Sequence, residues 1–78
     1  MPTRAYILVE TTVGQTGAVA AALRAIPEMI RVDTVTGPYD VIAIAETMDL
    51  PGIGDLIGED MHTIPGITTT VSCLGMRS

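Results

Sequence analysis

Two Ile-Pro steps, Ile26-Pro27 and Ile64-Pro65, stand 38 residues apart in a chain of only 78, and each ends an apolar helical stripe just before a run rich in β-branched residues. The residue before a proline avoids the α region, so a helix is expected to stop at both places. The match extends through Ile26-Pro27-Glu28-Met29 and Ile64-Pro65-Gly66-Ile67, and Glu10-Thr11 recurs as Glu46-Thr47. The chain therefore reads as two βαβ halves rather than one irregular domain.

The first half opens with Ala5 to Val13, a β-branched run that ends at Gly14. Gln15, Thr16 and Gly17 offer start positions for a helix in which Val19, Leu23 and Ile26 share a face. Met29 to Thr36 reads as a second strand, alternating so that Ile30 and Val32 lie on one face and Arg31 and Asp33 on the other. Gly37-Pro38-Tyr39-Asp40 is a turn, glycine supplying positive φ and proline presetting the next position. Val41 to Thr47 hardly alternates, which places it centrally with both faces covered. Asp49 is a good N-cap, Pro51 suits an early helical position, and Ile53, Leu56, Ile57 and Ile64 continue a stripe. Gly52, Gly54 and Gly58 weaken that second helix by up to about 1 kcal/mol each. Ile67 to Met76 is the last strand, with Thr68, Thr70 and Ser72 on one face and Thr69, Val71 and Cys73 on the other.

The order βαββαβ with right-handed crossovers gives an α+β, ferredoxin-like sandwich: a sheet of order 4-1-3-2 with both helices on one face. The other face is left bare. A domain of this size buries only about 60% of the surface its unfolded chain exposes. One cysteine makes no internal disulfide, and no Cys/His cluster offers a structural metal site. With 47% hydrophobic residues, the expected remedy is a second copy, packed face to face into an α/β-barrel-like dimer.

Charge narrows the partners. Four arginines, no lysine and nine carboxylates leave a net charge of −5, which repels nucleic acid and anionic lipid. Two tyrosines with no Phe or Trp leave little for base stacking. The apolar runs are too short for a spanning helix or a signal peptide, so a cytosolic protein is expected.

Val35-Thr36-Gly37-Pro38-Tyr39-Asp40, followed by Ile64-Pro65-Gly66-Ile67-Thr68-Thr69-Thr70, resembles the effector-binding (RAM) domain of the Lrp/AsnC transcriptional regulators over essentially the whole chain. The family's DNA-reading helix-turn-helix has no room here, so the resemblance implies a stand-alone domain. It also implies a dimer that assembles into an octamer or larger ring, with an amino acid or similar small effector bound between dimers. A full-length regulator of the same family is an expected partner by co-assembly. Carried over by position, the effector cleft involves Gly37, Pro38, Tyr39 and Asp40 of the turn and Thr70, Ser72, Cys73 and Leu74 of the last strand. Pro38 stands where the family often has a polar residue, and Cys73 and Gly75 where it has bulkier ones, which alters the shape of the pocket.

A zwitterion needs an acidic or carbonyl group for its ammonium and N–H or hydroxyl donors for its carboxylate. Asp40, the backbone of the Gly37 turn and the hydroxyls of Thr70 and Ser72 supply both. Asp40 equally suits a carboxylate capping its own hairpin, Tyr39 suits an oligomer contact, and the threonine row suits an ordinary exposed strand face. His62 has no carboxylate or cysteine at metal-ligand spacing and reads as a solvated helix residue. Cys73 reads as a small buried or interface residue, and the three helix glycines lack the lysine of a phosphate loop. Arg4 and Arg77 come together if the first and last strands are antiparallel neighbours, serving solubility or an anion. No catalysis and no cofactor are expected. The rival reading is a small dimeric α/β-barrel enzyme with its active site between paired sheets, which the fold alone does not exclude.

Overall fold

The computed structural model describes residues 2–76, in the order β1 (Thr3–Thr11), α1 (Thr16–Arg24), β2 (Met29–Thr34), β3 (Val41–Thr47), α2 (Leu50–Asp55) and β4 (Ile67–Leu74). Between α2 and β4 the helix continues as a π-helix, Leu56–Met61. The four strands form one antiparallel sheet of order β2-β3-β1-β4, which is the expected ferredoxin-like arrangement. Arg77, one half of the expected arginine pair, lies outside the described residues.

The core forms between the helices and one face of the sheet. Ala5, Ile7 and Val9 of β1 alternate with outward residues, and Val41, Ala43 and Ala45 of β3 stand directly opposite them. Val19, Ala20 and Leu23 of α1 and Ile53 and Leu56 of the second helical segment close over them. Small alanines on the strands let the helices approach, and larger aliphatic side chains fill the layer between.

Where strand boundaries differ from the sequence expectation, they differ by two residues. β1 stops at Thr11 because Thr12 N–H turns to Gly66 O (2.8 Å) and Gln15 N–H closes a turn on Thr12 O (3.0 Å). Val13 is left 99% exposed. β2 stops at Thr34, and beyond it Val35 N–H donates to Asp40 O at 2.9 Å.

Two bulges change which side chains share a face. Met29 pairs with Ala45 but Arg31 with Ile44, so Ile30 is an extra residue in β2. Met29 rather than Ile30 therefore joins Val32 against the core, and Ile30 remains 52% exposed. In β4 the pairing shifts between Glu10 and Thr11, leaving Thr68 unmatched, its hydroxyl donating to Glu10 O at 3.1 Å. From Thr69 onward the faces fall as the alternation predicts.

The second helical segment is where local propensity and packing conflict. Asp49 caps α2, its Oδ1 accepting Gly52 N–H at 3.0 Å, with Pro51 in the first turn. Continued as an α-helix, the chain would set Glu59 and Asp60 beneath Leu56. The π-helix places the fifth residue on, Met61, in the core instead, and Met61 is fully buried while Glu59 and Asp60 remain exposed.

Candidate functional site

The sheet register sorts the expected site residues onto two faces. Val9 pairs with Thr70, Ile7 with Ser72 and Ala5 with Leu74, so Thr70, Ser72 and Leu74 lie on the helix side. Tyr6 pairs with Cys73, so Cys73 lies on the open side. Neither helix reaches over the outer half of β4, and Leu74 is 47% exposed on the very face that is otherwise core.

The register also sorts them by end. Val41, Val9 and Thr70 form one row across the sheet, and Asp40 N–H donates to Val9 O at 2.9 Å. The Gly37-Pro38-Tyr39-Asp40 turn and Thr70 therefore share an end of the sheet, separated by two strand spacings, about 10 Å. Gly37 makes this turn with φ of 141°, a conformation that side chains resist. Leu74 lies four residues further along β4, about 13 Å from Thr70. The eight expected residues thus do not converge within one chain: the turn and Thr70 form one group, and Ser72 and Leu74 trail away from it.

Asp40 is half-buried and already engaged. Its Oδ2 accepts Thr11 N–H at 2.8 Å and the Thr11 hydroxyl at 3.2 Å. Its tie is to the end of β1, rather than only to its own hairpin as the local alternative had it. The hydroxyl of Thr11 also meets that of Thr16 at 2.7 Å.

Beside Thr70 is a groove of about 350 Å³ between the π-helix and β4. Ile57, Met61, Ile64 and Ile67 form its apolar floor, and Thr68, Thr69, Thr70 and His62 its polar margin. His62 is exposed, as the sequence suggested, but stands at a cavity rim, which the sequence did not suggest. The helical stripe through Ile57 and Ile64 was the available signal, though it gave no hint that β4 leaves one side of that stripe open.

A larger cleft of about 620 Å³ lies at the other end of the sheet. Glu28, Glu46, Asp49, Asp55 and Asp60 line it, and among the described residues no basic side chain does. Of these carboxylates Glu46 is paired with Arg4 and the other four have no salt-bridge partner among the described residues; together they repel the carboxylate of a zwitterion, so this larger space is the poorer match to an amino acid. Among the described residues no group of His, Cys, Asp and Glu is placed to hold a metal ion. No described helix is long and apolar enough to cross a membrane.

The open face of the sheet has an apolar centre and a charged margin. Tyr6 (38% exposed), Leu8, Ile42, Ile44 and Val71 (40% exposed) form the centre. At one margin Arg4 Nε donates to Glu46 Oε2 at 3.0 Å, and this bond to the Glu46 carboxylate, with a smaller contribution from Tyr6, raises the guanidinium above its ordinary value. At another, Arg31 Nε donates to Asp33 Oδ2 at 2.7 Å.

The family profile described as the Lrp/AsnC ligand binding domain matches residues 4–78. No curated protein matches the chain. Among solved structures, the hypothetical protein PHS023 from Pyrococcus horikoshii is 30% identical, with a TM-score of 0.90 over 97% of this chain and 92% of that one. TTHA0845 from Thermus thermophilus is 27% identical, with a TM-score of 0.92 over 100% and 96%. The transcriptional regulator NMB0573 from Neisseria meningitidis, solved as a complex with L-Met, shares the fold at 19% identity, with a TM-score of 0.85 over 96% of this chain and 50% of its own.

Proposed function

Because the chain belongs to the family of Lrp/AsnC ligand binding domains, we propose that it is a non-enzymatic regulatory module that binds an amino acid or a similar small effector in the cytoplasm. Its open sheet face packs against that of a second copy, and the effector sits where such dimers meet, at the end of the sheet that carries Asp40 and Thr70. Co-assembly with a full-length regulator would transmit the effector's level to transcription.

One observation supports this reading more than any other. The turn of Gly37 to Asp40 and the hydroxyl of Thr70 lie at one end of the sheet, and Thr70 borders an apolar-floored groove. That combination offers an acceptor for an ammonium, donors for a carboxylate and an apolar surface for a side chain. The Neisseria regulator that shares the fold was solved with L-Met, which fits an amino acid of moderate size. Ser72 is two residues, about 7 Å, from Thr70 on the same face, whereas Cys73 faces the other way and Leu74 lies about 13 Å from Thr70. Cys73 and Leu74 join the cleft if a neighbouring dimer brings its own β4 to the Asp40 turn.

Control follows by linkage. An effector that binds the assembled ring better than the free dimer stabilises the ring, so effector concentration sets the size distribution. The enzyme reading requires a His, Tyr or acid between paired sheets; His62 lies on the helix side, away from that space, and Tyr6 is the group of that kind at the apolar centre of the open face.

The test is calorimetric titration of each of the twenty amino acids into the purified protein, with mass followed by sedimentation. Binding of at least one, with a change in mass, is expected. Asp40→Ala should abolish that binding while leaving the assembly intact. Absence of both binding and mass change across all twenty would overturn the proposal.

A further inference from the structure

A row of three oxygens connects the start of α1 with the β2–β3 turn. Thr16 Oγ1 lies 2.7 Å from Thr11 Oγ1, which lies 3.2 Å from Asp40 Oδ2. An ionised carboxylate only accepts, so the single hydroxyl proton of Thr11 is directed at Asp40. Thr11 Oγ1 then receives the proton of Thr16. The direction of the row is thereby fixed: Thr16 donates to Thr11, and Thr11 donates to Asp40 through both its hydroxyl and its N–H. All three residues are half-buried, where bonds in series polarise and strengthen one another.

The row also accounts for an oddity of α1, whose N-cap Gln15 makes no side-chain cap. The hydroxyl that opens this helix, that of Thr16, is turned toward the sheet instead. Both protein donors converge on Oδ2, and among the described residues none meets Oδ1.

We propose that Thr16 and Thr11 are positioning residues for Asp40: they fix the carboxylate by one oxygen and so present the other to the ammonium of the effector. The proposal rests on the reading that Asp40 contacts the effector, and it assigns a part in recognition to the first turn of a helix that lines neither of the two clefts described above.

The experiment is amide hydrogen exchange of the whole protein by NMR, paired with calorimetry using whichever amino acid binds the unmodified chain. In Thr16→Val the Thr11 amide should exchange roughly three- to tenfold faster, the range one neutral hydrogen bond is worth, and effector affinity should fall by a similar factor. The Ile7 amide, in the middle of β1, should not change. Thr16→Ser, which keeps the hydroxyl, should restore both readouts, and Thr11→Val should reproduce the loss of affinity one link further along. An unchanged Thr11 amide in Thr16→Val, equal acceleration of Thr11 and Ile7, or a serine variant no better than valine would each overturn the proposal. If Asp40→Ala abolishes binding and Thr16→Val does not weaken it, the relay is wrong and the effector reading stands. If the Thr11 amide responds as expected but no amino acid binds the unmodified protein, the relay holds the carboxylate and the effector reading falls.

Discussion

Leu8 and Ile42 stand opposite each other in the β1–β3 ladder, on the side of the sheet that carries no helix. Ile44, Tyr6 and Val71 extend this pair into an apolar surface that a monomer of this size has no means to cover. A lysine in place of Leu8, whose partners on the two neighbouring strands are Ile42 and Val71, would be buried with no carboxylate facing it inside a face-to-face dimer, which is strongly unfavourable. Leu8→Lys should therefore reduce the mass in light scattering to that of the protomer, 8.2 kDa. Its melting temperature should lose the dependence on protein concentration expected of the unmodified chain. An unchanged mass would show that this face is not the interface.

Thr70 sits on the margin of the groove and in the same row as Val9 and Val41. Thr70→Val keeps the shape and removes the hydroxyl, so effector affinity should drop about tenfold, the value of one hydrogen bond to a charged group. Cys73→Ala, on the other face, should leave the contacts made by its own chain unaltered. Calorimetric titration of the two variants separates the groove from the open face.

Leu56 and Met61 meet in the core because the helix between them is wound as a π-helix. Met61→Ala should cost about 2–4 kcal/mol in denaturant unfolding, typical of a buried methionine cut to alanine. Asp60→Ala, at the position an α-helix would have turned inward, should fall within about 0.5 kcal/mol of the unmodified protein.

Gly66 adopts a φ of 98°, and a Cβ there would come within 2.9 Å of Gln15 Cβ and 3.0 Å of Val19 Cγ2. Gly66→Ala combines backbone strain with overpacking, and should destabilise by about 2–3 kcal/mol. Gly54 lies in α2 with open space around its Cα. Gly54→Ala should stabilise by about 0.5–1 kcal/mol. Opposite signs for the same chemical change are a direct check of the local geometry by thermal unfolding.

Much of the fold was legible in the sequence because its signals are local. The Ile-Pro steps bound both helices, the turn at Gly37-Pro38 split β2 from β3, and the uniform apolarity of Val41 to Ala45 marked the central strand. What escaped depends on contacts between elements. Whether Ile30 or Met29 faces the core is decided by a bulge set against Ala45, and whether Met61 or Asp60 is buried by how the sheet accommodates the helix. The site followed the same division. The turn and Thr70 were identifiable as residue types, but their shared end of the sheet and the distance of Leu74 from them come from the β1–β4 register. The link from Asp40 to Thr11 and Thr16 crosses 29 residues of sequence and left no local trace.

Sedimentation equilibrium of the unmodified protein at micromolar concentration tests most directly whether the bare sheet face is an interface. The account predicts a mass of at least twice 8.2 kDa, rising further when the bound effector is added. A homogeneous 8.2 kDa species with or without effector would contradict it.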